Sequence, residues 1–241
     1  MPLTIGPGID IGPGITLGGG FAPSVTLVYD LDAANYSAVP TNGSVTEGAG
    51  TVGQRTLTVA NAGSSISWQA DNGGLFRKSN ATGTDVIYGG PNWVTGQSYS
   101  VFMAYRRIAT SSGRLLNTQS EASKDWLMGL YNGHPDTFYP NFAVNLPSSG
   151  ADLVWHFGWA TWNTSTSLGQ LYTATSAQPT GTSFTGTNGG GGGFNQLRMF
   201  SRSSGTEVQT ADIGFVKAYS GVFTLADVQG LYAQYRARFG Y

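Results

Sequence analysis

The sequence predicts an all-β protein: two antiparallel sheets packed as a sandwich, with one C-terminal helix and an extended N-terminal arm. Three observations predict it. Glycine accounts for 36 of 241 residues and charged residues for only 10%, a composition of short strands and tight turns rather than of helices. Apolar and polar residues alternate in segment after segment, with Gly, Asn, Ser and Pro between them. Only one segment, close to the C-terminus, repeats its apolar residues at helical spacing. The length suits a single large β domain with a core that needs no metal or disulfide.

The arm is residues 1–23. It carries a hexad nearly three times over, IGPGID, IGPGIT and a decayed LGGGFA. Gly-Pro-Gly blocks helix, because proline lacks a donor and glycine weakens any regular element. The Ile-Asp-Ile and Ile-Thr-Leu triplets between the blocks alternate like strand. Ile5, Ile9, Ile11, Ile15 and Leu17 are too apolar for a solvated linker, so the arm is expected to dock on its own domain or on a neighbouring chain.

The domain is residues 24–241, with about eleven expected strands. They are 24–30, 53–59, 65–69, 98–106, 114–117, 126–131, 138–145, 154–162, 169–175, 196–201 and 212–219. In 98–106, Tyr99, Val101, Met103 and Tyr105 share one face, and Ser100, Phe102, Ala104 and Arg106 share the other. In 154–162, Trp155, Phe157 and Trp159 lie together on one face. The helix starts at Thr224, with Asp227 completing a capping box. Leu225, Val228, Leu231, Tyr232 and Tyr235 make its apolar stripe. Arg236 and Arg238 fall at the negative end of its dipole, and Gly240 can end it.

The segment 211–240, with Asp212, Ile213, Val216, Tyr219, Leu225, Val228, Leu231 and Tyr232, resembles the closing strand and helix of laminin-G-like, concanavalin A-like jelly-roll domains. LVYDLDAANYSAVP at 27–40 is similar to their opening segment, SYSVFMAYR at 98–106 to one of their strands, and the stretch 154–173 to a strand pair. The W-x-D-x-S-G-N motif that many relatives carry after the opening strand is missing from the Ser/Thr/Gly-rich region 36–52. The arm together with this domain also resembles structural proteins of tailed bacteriophages. That resemblance implies a virion protein, partnered by other virion proteins or by copies of itself as a homo-oligomer.

Several function classes are excluded or disfavoured. There are no cysteines, which removes disulfides, zinc-thiolate sites and thiol catalysis. Twelve basic and 13 acidic residues give a net charge of −1, and no long basic stretch offers phosphate neutralisation, so nucleic acid is not an expected partner. No apolar run reaches 18 residues and no signal-peptide pattern opens the chain, so neither membrane insertion nor signal-directed export is expected. A retaining glycosidase needs two carboxyl groups about 5 Å apart, yet the three glutamates, Glu47, Glu121 and Glu207, have no acid at the alternating spacing. The run Gly189–Gly193 lacks the Lys-Ser/Thr of a phosphate loop. His156 is expected to be a hydrogen-bonded strand residue, and His134-Pro135-Asp136 a solvated turn. The expectation is a protein without enzymatic activity.

The candidate glycan-binding stretch is YNGHPDTFYPNFAVN at 131–145. Tyr131, His134, Asp136, Phe138, Tyr139 and Asn141 combine the aromatic platforms and amide or carboxylate partners of lectin loops. The alternative is a bulky segment packed on its own sandwich. The stretch is similar to a legume-lectin metal loop but has one extra residue and no acid two positions before Asp136, too few carboxylates for calcium. Asp30 and Asp32 are expected to cap backbone donors, with calcium as the alternative there. No cofactor is expected. The leading functional expectation is a virion structural protein attached through its arm, located in the virion. The alternative is a carbohydrate-binding adhesin that recognises cell-surface glycans.

Overall fold

The structure, a computed structural model, describes residues 21–39, 42–45, 55–60, 65–80, 86–88, 98–109, 113–118, 126–131, 134–140, 145, 153–185, 197–201 and 207–241. These residues form two antiparallel sheets and one α-helix, the expected sandwich. In chain order the strands are β1 Thr26–Asp32, β2 Asn42–Val45, β3 Arg55–Ala60, β4 Ile66–Gln69, β5 Leu75–Lys78, β6 Val86–Tyr88, β7 Tyr99–Arg107 and β8 Leu116–Thr118. There follow β9 Trp126–Tyr131, β10 His134–Pro140, β11 His156–Asn163, β12 Leu168–Ala174, β13 Thr180–Thr185, β14 Leu197–Met199 and β15 Ala211–Ser220. The helix α1 is Leu225–Tyr235, and the 3-10 turn Arg236–Phe239 extends it.

The larger sheet runs β13-β12-β11-β7-β15-β5-β4, with β1 also paired to β15. One edge of β15 is divided between two partners: Ala211–Ile213 pair with β5, and Phe215–Ser220 pair with β1. The smaller sheet runs β10-β9-β8-β14-β6-β3-β2.

Alternation assigns the layers as the sequence implies. Tyr99, Val101, Met103 and Tyr105 enter the core between the sheets, together with Met128, Phe138 and Met199 from the smaller sheet. Phe102, Ala104, Trp155, Phe157 and Trp159 enter a second core under the helix. There the Phe102 and Trp159 rings stack at 4.7 Å, and Tyr232 of α1 meets Phe157 edge-on at 5.5 Å. The larger sheet is therefore buried on both faces, which is why β7, β11 and β15 are apolar almost throughout.

The capping box forms as expected: the Thr224 hydroxyl accepts from the Asp227 N–H, and the Asp227 carboxylate accepts from the Thr224 N–H. The same carboxylate accepts from the Ser24 backbone N–H at 2.6 Å and the Ser24 hydroxyl at 2.8 Å. A Cβ at Gly230 would sit 2.4 Å from the Phe21 ring, so glycine in mid-helix makes room for that ring. Phe21 and Ser24 thus both pack on α1. Gly240 ends the 3-10 turn in the left-handed region, at φ 86°.

Arg238 does not serve the helix dipole. Its Nε donates to the Asn72 carbonyl at 2.7 Å, Nη1 to Asp32 at 2.6 Å, and Nη2 to the Gly74 and Gly214 carbonyls at 2.7 and 3.3 Å. These groups surround the place where β1 leaves β15 and β5 joins it. Gly74 lies there at φ 127°, its Cα hydrogen directed at the Ala33 carbonyl, where a Cβ would come within 2.6 Å. Only glycine meets both demands.

Most strand bounds differ by a few residues at one end or both. The strand expected at 138–145 is β10, His134–Pro140, and Asn145 returns to Phe138 through a reciprocal backbone pair of 3.2 and 2.9 Å. Four strands go beyond those expected: β2, β5, β6 and β13.

Candidate functional site

The candidate window falls on the end of β9 and on β10, the edge strand of the smaller sheet. Antiparallel pairing sets its faces: Thr137 lies opposite Gly129, Phe138 opposite Met128 and Tyr139 opposite Leu127, past an irregularity between His134 and Thr137. Met128 and Phe138 point into the core between the sheets. Thr137, Tyr139 and Leu127 therefore take the outer face.

This divides the predicted residues. Phe138 is 0% exposed and meets Phe184 edge-on at 5.8 Å, so it packs on its own sandwich and offers no platform to a sugar. Asp136, expected in a solvated turn, is buried instead. Its carboxylate accepts from the Tyr105 hydroxyl and lies 3.0 Å from His156 Nδ1. The Tyr105 and His156 rings face each other at 5.5 Å. A carboxylate from one sheet is thus received by a phenol and an imidazole from the other, which offsets the cost of burying it. His156 opens β11, a strand residue as expected. His134 and Tyr139 remain half-exposed on the edge strand. The backbone of Tyr131 ends β9 opposite His134. Asn141, and the arm residues Ile5, Ile9, Ile11, Ile15 and Leu17, lie outside the described residues, as does the run Gly189–Gly193.

The backbone register links Tyr139, Leu127, Asn117, Arg198, Tyr88, Thr58 and Asn42 partner to partner in a row from β10 to β2. The centre of the row is closed to solvent: Leu127, Asn117 and Arg198 are all buried. Asn117 accepts from Arg114 Nη1 at 3.1 Å, and Arg114 Nε donates to Glu207. The solvent-facing part of the candidate site is therefore the β10 flank, with Tyr139 and His134. Sequence reading missed the pairing of Asn117 with Arg198 because they sit on separate short strands, β8 and β14, whose register no local pattern encodes.

The other carboxylates are also engaged. Asp32 accepts from the Ala34 N–H at 3.0 Å, the expected cap. Asp30 holds Lys217 Nζ at 2.5 Å, and that ammonium lies 3.9 Å from Asp32. Burial works against the Lys217 charge, but Asp30, Tyr235 and Asp32 reverse the balance and hold its pKa above the ordinary value. An ammonium and the Arg238 guanidinium thus occupy the place a calcium ion would take between Asp30 and Asp32. Among the described residues no three His, Asp or Glu side chains gather as a metal site.

No family model matches the sequence, and no curated protein does. Solved structures do match. Domain 4 of the extracellular GH43 arabinanase AbnA from Geobacillus stearothermophilus, in complex with arabinotriose, superposes with a TM-score of 0.56 at 13% identity, covering 86% of this chain and 98% of that one. The botulinum neurotoxin serotype D binding domain gives 0.62 at 13% identity, covering 87% of this chain and 51% of that one. The fold is shared. At these identities the likeness shows the sandwich and nothing finer. This chain spans about half the length of the neurotoxin domain. An arabinofuranosidase complexed with arabinofuranosyl-α-1,2-xylobiose also matches, at 0.56 and 9% identity over 91% of this chain and 60% of that one.

Proposed function

We propose that this chain is a non-catalytic carbohydrate-binding sandwich module. The observation that carries this reading is the likeness over 98% of an arabinanase domain whose structure holds arabinotriose. A second neighbour is a neurotoxin ligand-binding domain in complex with N-acetylneuraminic acid. The internal pairing of Asp30, Asp32, Asp136, Asp212 and Glu207 also supports it, because carboxylates held by their own cations and hydroxyls are poor acids and bases for hydrolysis. The half-exposed Tyr139 on the sheet edge supplies a ring on which a sugar can stack its C–H face.

Affinity electrophoresis through gels containing arabinan, xylan, galactan or acidic polysaccharides tests the reading. The protein should be retarded in at least one gel. Tyr139→Ala should weaken that retardation about fivefold, roughly 1 kcal/mol, without lowering the melting temperature. A protein that migrates unretarded in every gel would overturn the reading.

A second role rests on the hexad repeat of residues 5–20. An apolar, non-helical segment with spare backbone donors can add strands to another chain, and attachment to a virion through such an arm is compatible with glycan binding by the sandwich. Deletion of residues 1–20 should abolish assembly while glycan retardation persists. Unchanged assembly by the deleted chain would remove this role.

A further inference from the structure

One row of charged residues on the outer face of the larger sheet plays no part in the features above. Asp212 on β15 lies directly between Arg77 on β5 and Arg106 on β7. Its side chain is wholly buried, while each arginine side chain is 28% exposed. Arg77 donates from Nε and Nη2 at 2.7 and 2.9 Å, and Arg106 from the same two nitrogens at 3.2 and 2.6 Å. Both arginines therefore face Asp212 with one edge of the guanidinium. Their Nη1 groups make no hydrogen bond among the described residues. The Nη1–Nη2 edge of each is left as a two-point fork, matched in shape to a carboxylate.

The forks are held in place. Arg106 lies over the Trp155 ring at 5.0 Å and is fixed between that ring and Asp212. Leu153 and Val154, 55% and 46% exposed, lead the chain into Trp155, so an apolar surface adjoins the charged row. One guanidinium would neutralise Asp212, and the exposed Asp71 acts on Arg77. Lys78 and Arg107, next along the same strands, are buried and turn to the opposite face of the sheet.

We infer that this face binds a carboxylate-bearing glycan, with the acid group of a uronic- or ulosonic-acid unit received by the Nη1–Nη2 edges of Arg77 and Arg106. This rests on the carbohydrate-binding reading and narrows it to acidic sugars. A planar two-oxygen acid fits the fork geometry, and a pre-fixed guanidinium loses little freedom on binding.

The test is affinity electrophoresis of the full chain through polygalacturonate, neutral arabinan and dextran sulfate. The wild type should be retarded by polygalacturonate, and about 0.5 M salt should release it by screening. Arg77→Gln and Arg106→Gln each leave Asp212 paired with the other arginine. Each should weaken polygalacturonate binding about tenfold, the loss of one charge-assisted contact, with any arabinan retardation unchanged. Retardation by arabinan alone, or variants that bind polygalacturonate like the wild type, would overturn the inference and leave the carbohydrate reading standing. Equal retardation by dextran sulfate and polygalacturonate, indifferent to both substitutions, would mean simple ion exchange and also overturn it. No retardation in any gel would sink both. If either variant fails to fold, the Arg77 and Arg106 Nε–H resonances of the wild type are followed during galacturonate titration; resonances that do not move count against the site.

Discussion

Four hydrogen bonds from one guanidinium fasten Arg238 to the first strand, to the entry of β5 and to β15. Arg238→Ala leaves Asp32, nearly buried, with Lys217 at 3.9 Å as its remaining cation, and should cost about 3 kcal/mol in urea unfolding. Arg238→Lys keeps the charge but loses the fork and should cost about 2 kcal/mol. Asp227 gives a pH-dependent case. Burial alone would raise its pKa, but bonds from Ser24 and Thr224 hold it below the ordinary 3.8. The folded state therefore binds that proton less readily than the unfolded chain. The stabilisation is present above the ordinary pKa and is lost as pH falls through the depressed one. Asp227→Asn should be less stable than the wild type at pH 7, and the difference should close in unfolding curves measured down to about pH 2. At this scale the sequence showed the capping box, because Thr224 and Asp227 are three residues apart. It did not show that Ser24 joins them from 203 residues away, nor that Asp136, a charged residue beside a proline, turns inward to meet Tyr105 and His156. Those pairs depend on which strand lies over which, and no local spacing carries that.

The elements were legible where burial makes a period. β7 and β11 alternate between two aromatic-rich cores, and their faces can be read from the letters alone. β13 has almost every residue exposed, so it shows no apolar period and was missed. β5 failed for the opposite reason: Leu75, Phe76 and Lys78 are all buried, on both faces, so nothing alternates. β12 and β13 are joined by two reciprocal pairs, Gly169 beneath Phe184 and Gly181 beneath Tyr172; a Cβ at either glycine would come within 2.4 Å of the ring. Gly181→Val should tilt Tyr172 away and cost roughly 1–2 kcal/mol, seen as a lower melting temperature. Gly230→Ala sets two effects against each other. Alanine favours the helix by about 1 kcal/mol, but its methyl displaces the Phe21 ring. Helix stability should rise while cleavage near Phe21 by chymotrypsin accelerates; unchanged cleavage would mean that the ring accommodates the methyl.

At the scale of the whole molecule, composition and alternation led to the right architecture, because a two-layer β sandwich with one helical cover is what many short alternating strands must build. The functional surface was less legible. A lectin-like cluster of letters at 131–141 divides into a packed half and an edge half once the strand is placed. The arginines flanking Asp212 stand 29 residues apart in the chain and become neighbours only through β15. If the arm serves attachment, as proposed above, the sandwich should fold and melt unchanged without residues 1–20. A melting temperature lowered by more than a few degrees in that deletion would show that the arm belongs to the core.

The sharing of the β15 edge has a consequence for biosynthesis. β1 emerges early from the ribosome, yet its hydrogen-bonding partner is β15, and the clamp that secures the junction is residue 238. Until β15 has been made, the first strand lacks the partner it has among the described residues. A nascent chain arrested at residue 224 should therefore remain sensitive to protease along β1. Before β15 is made, that edge is one on which a neighbouring chain could pair.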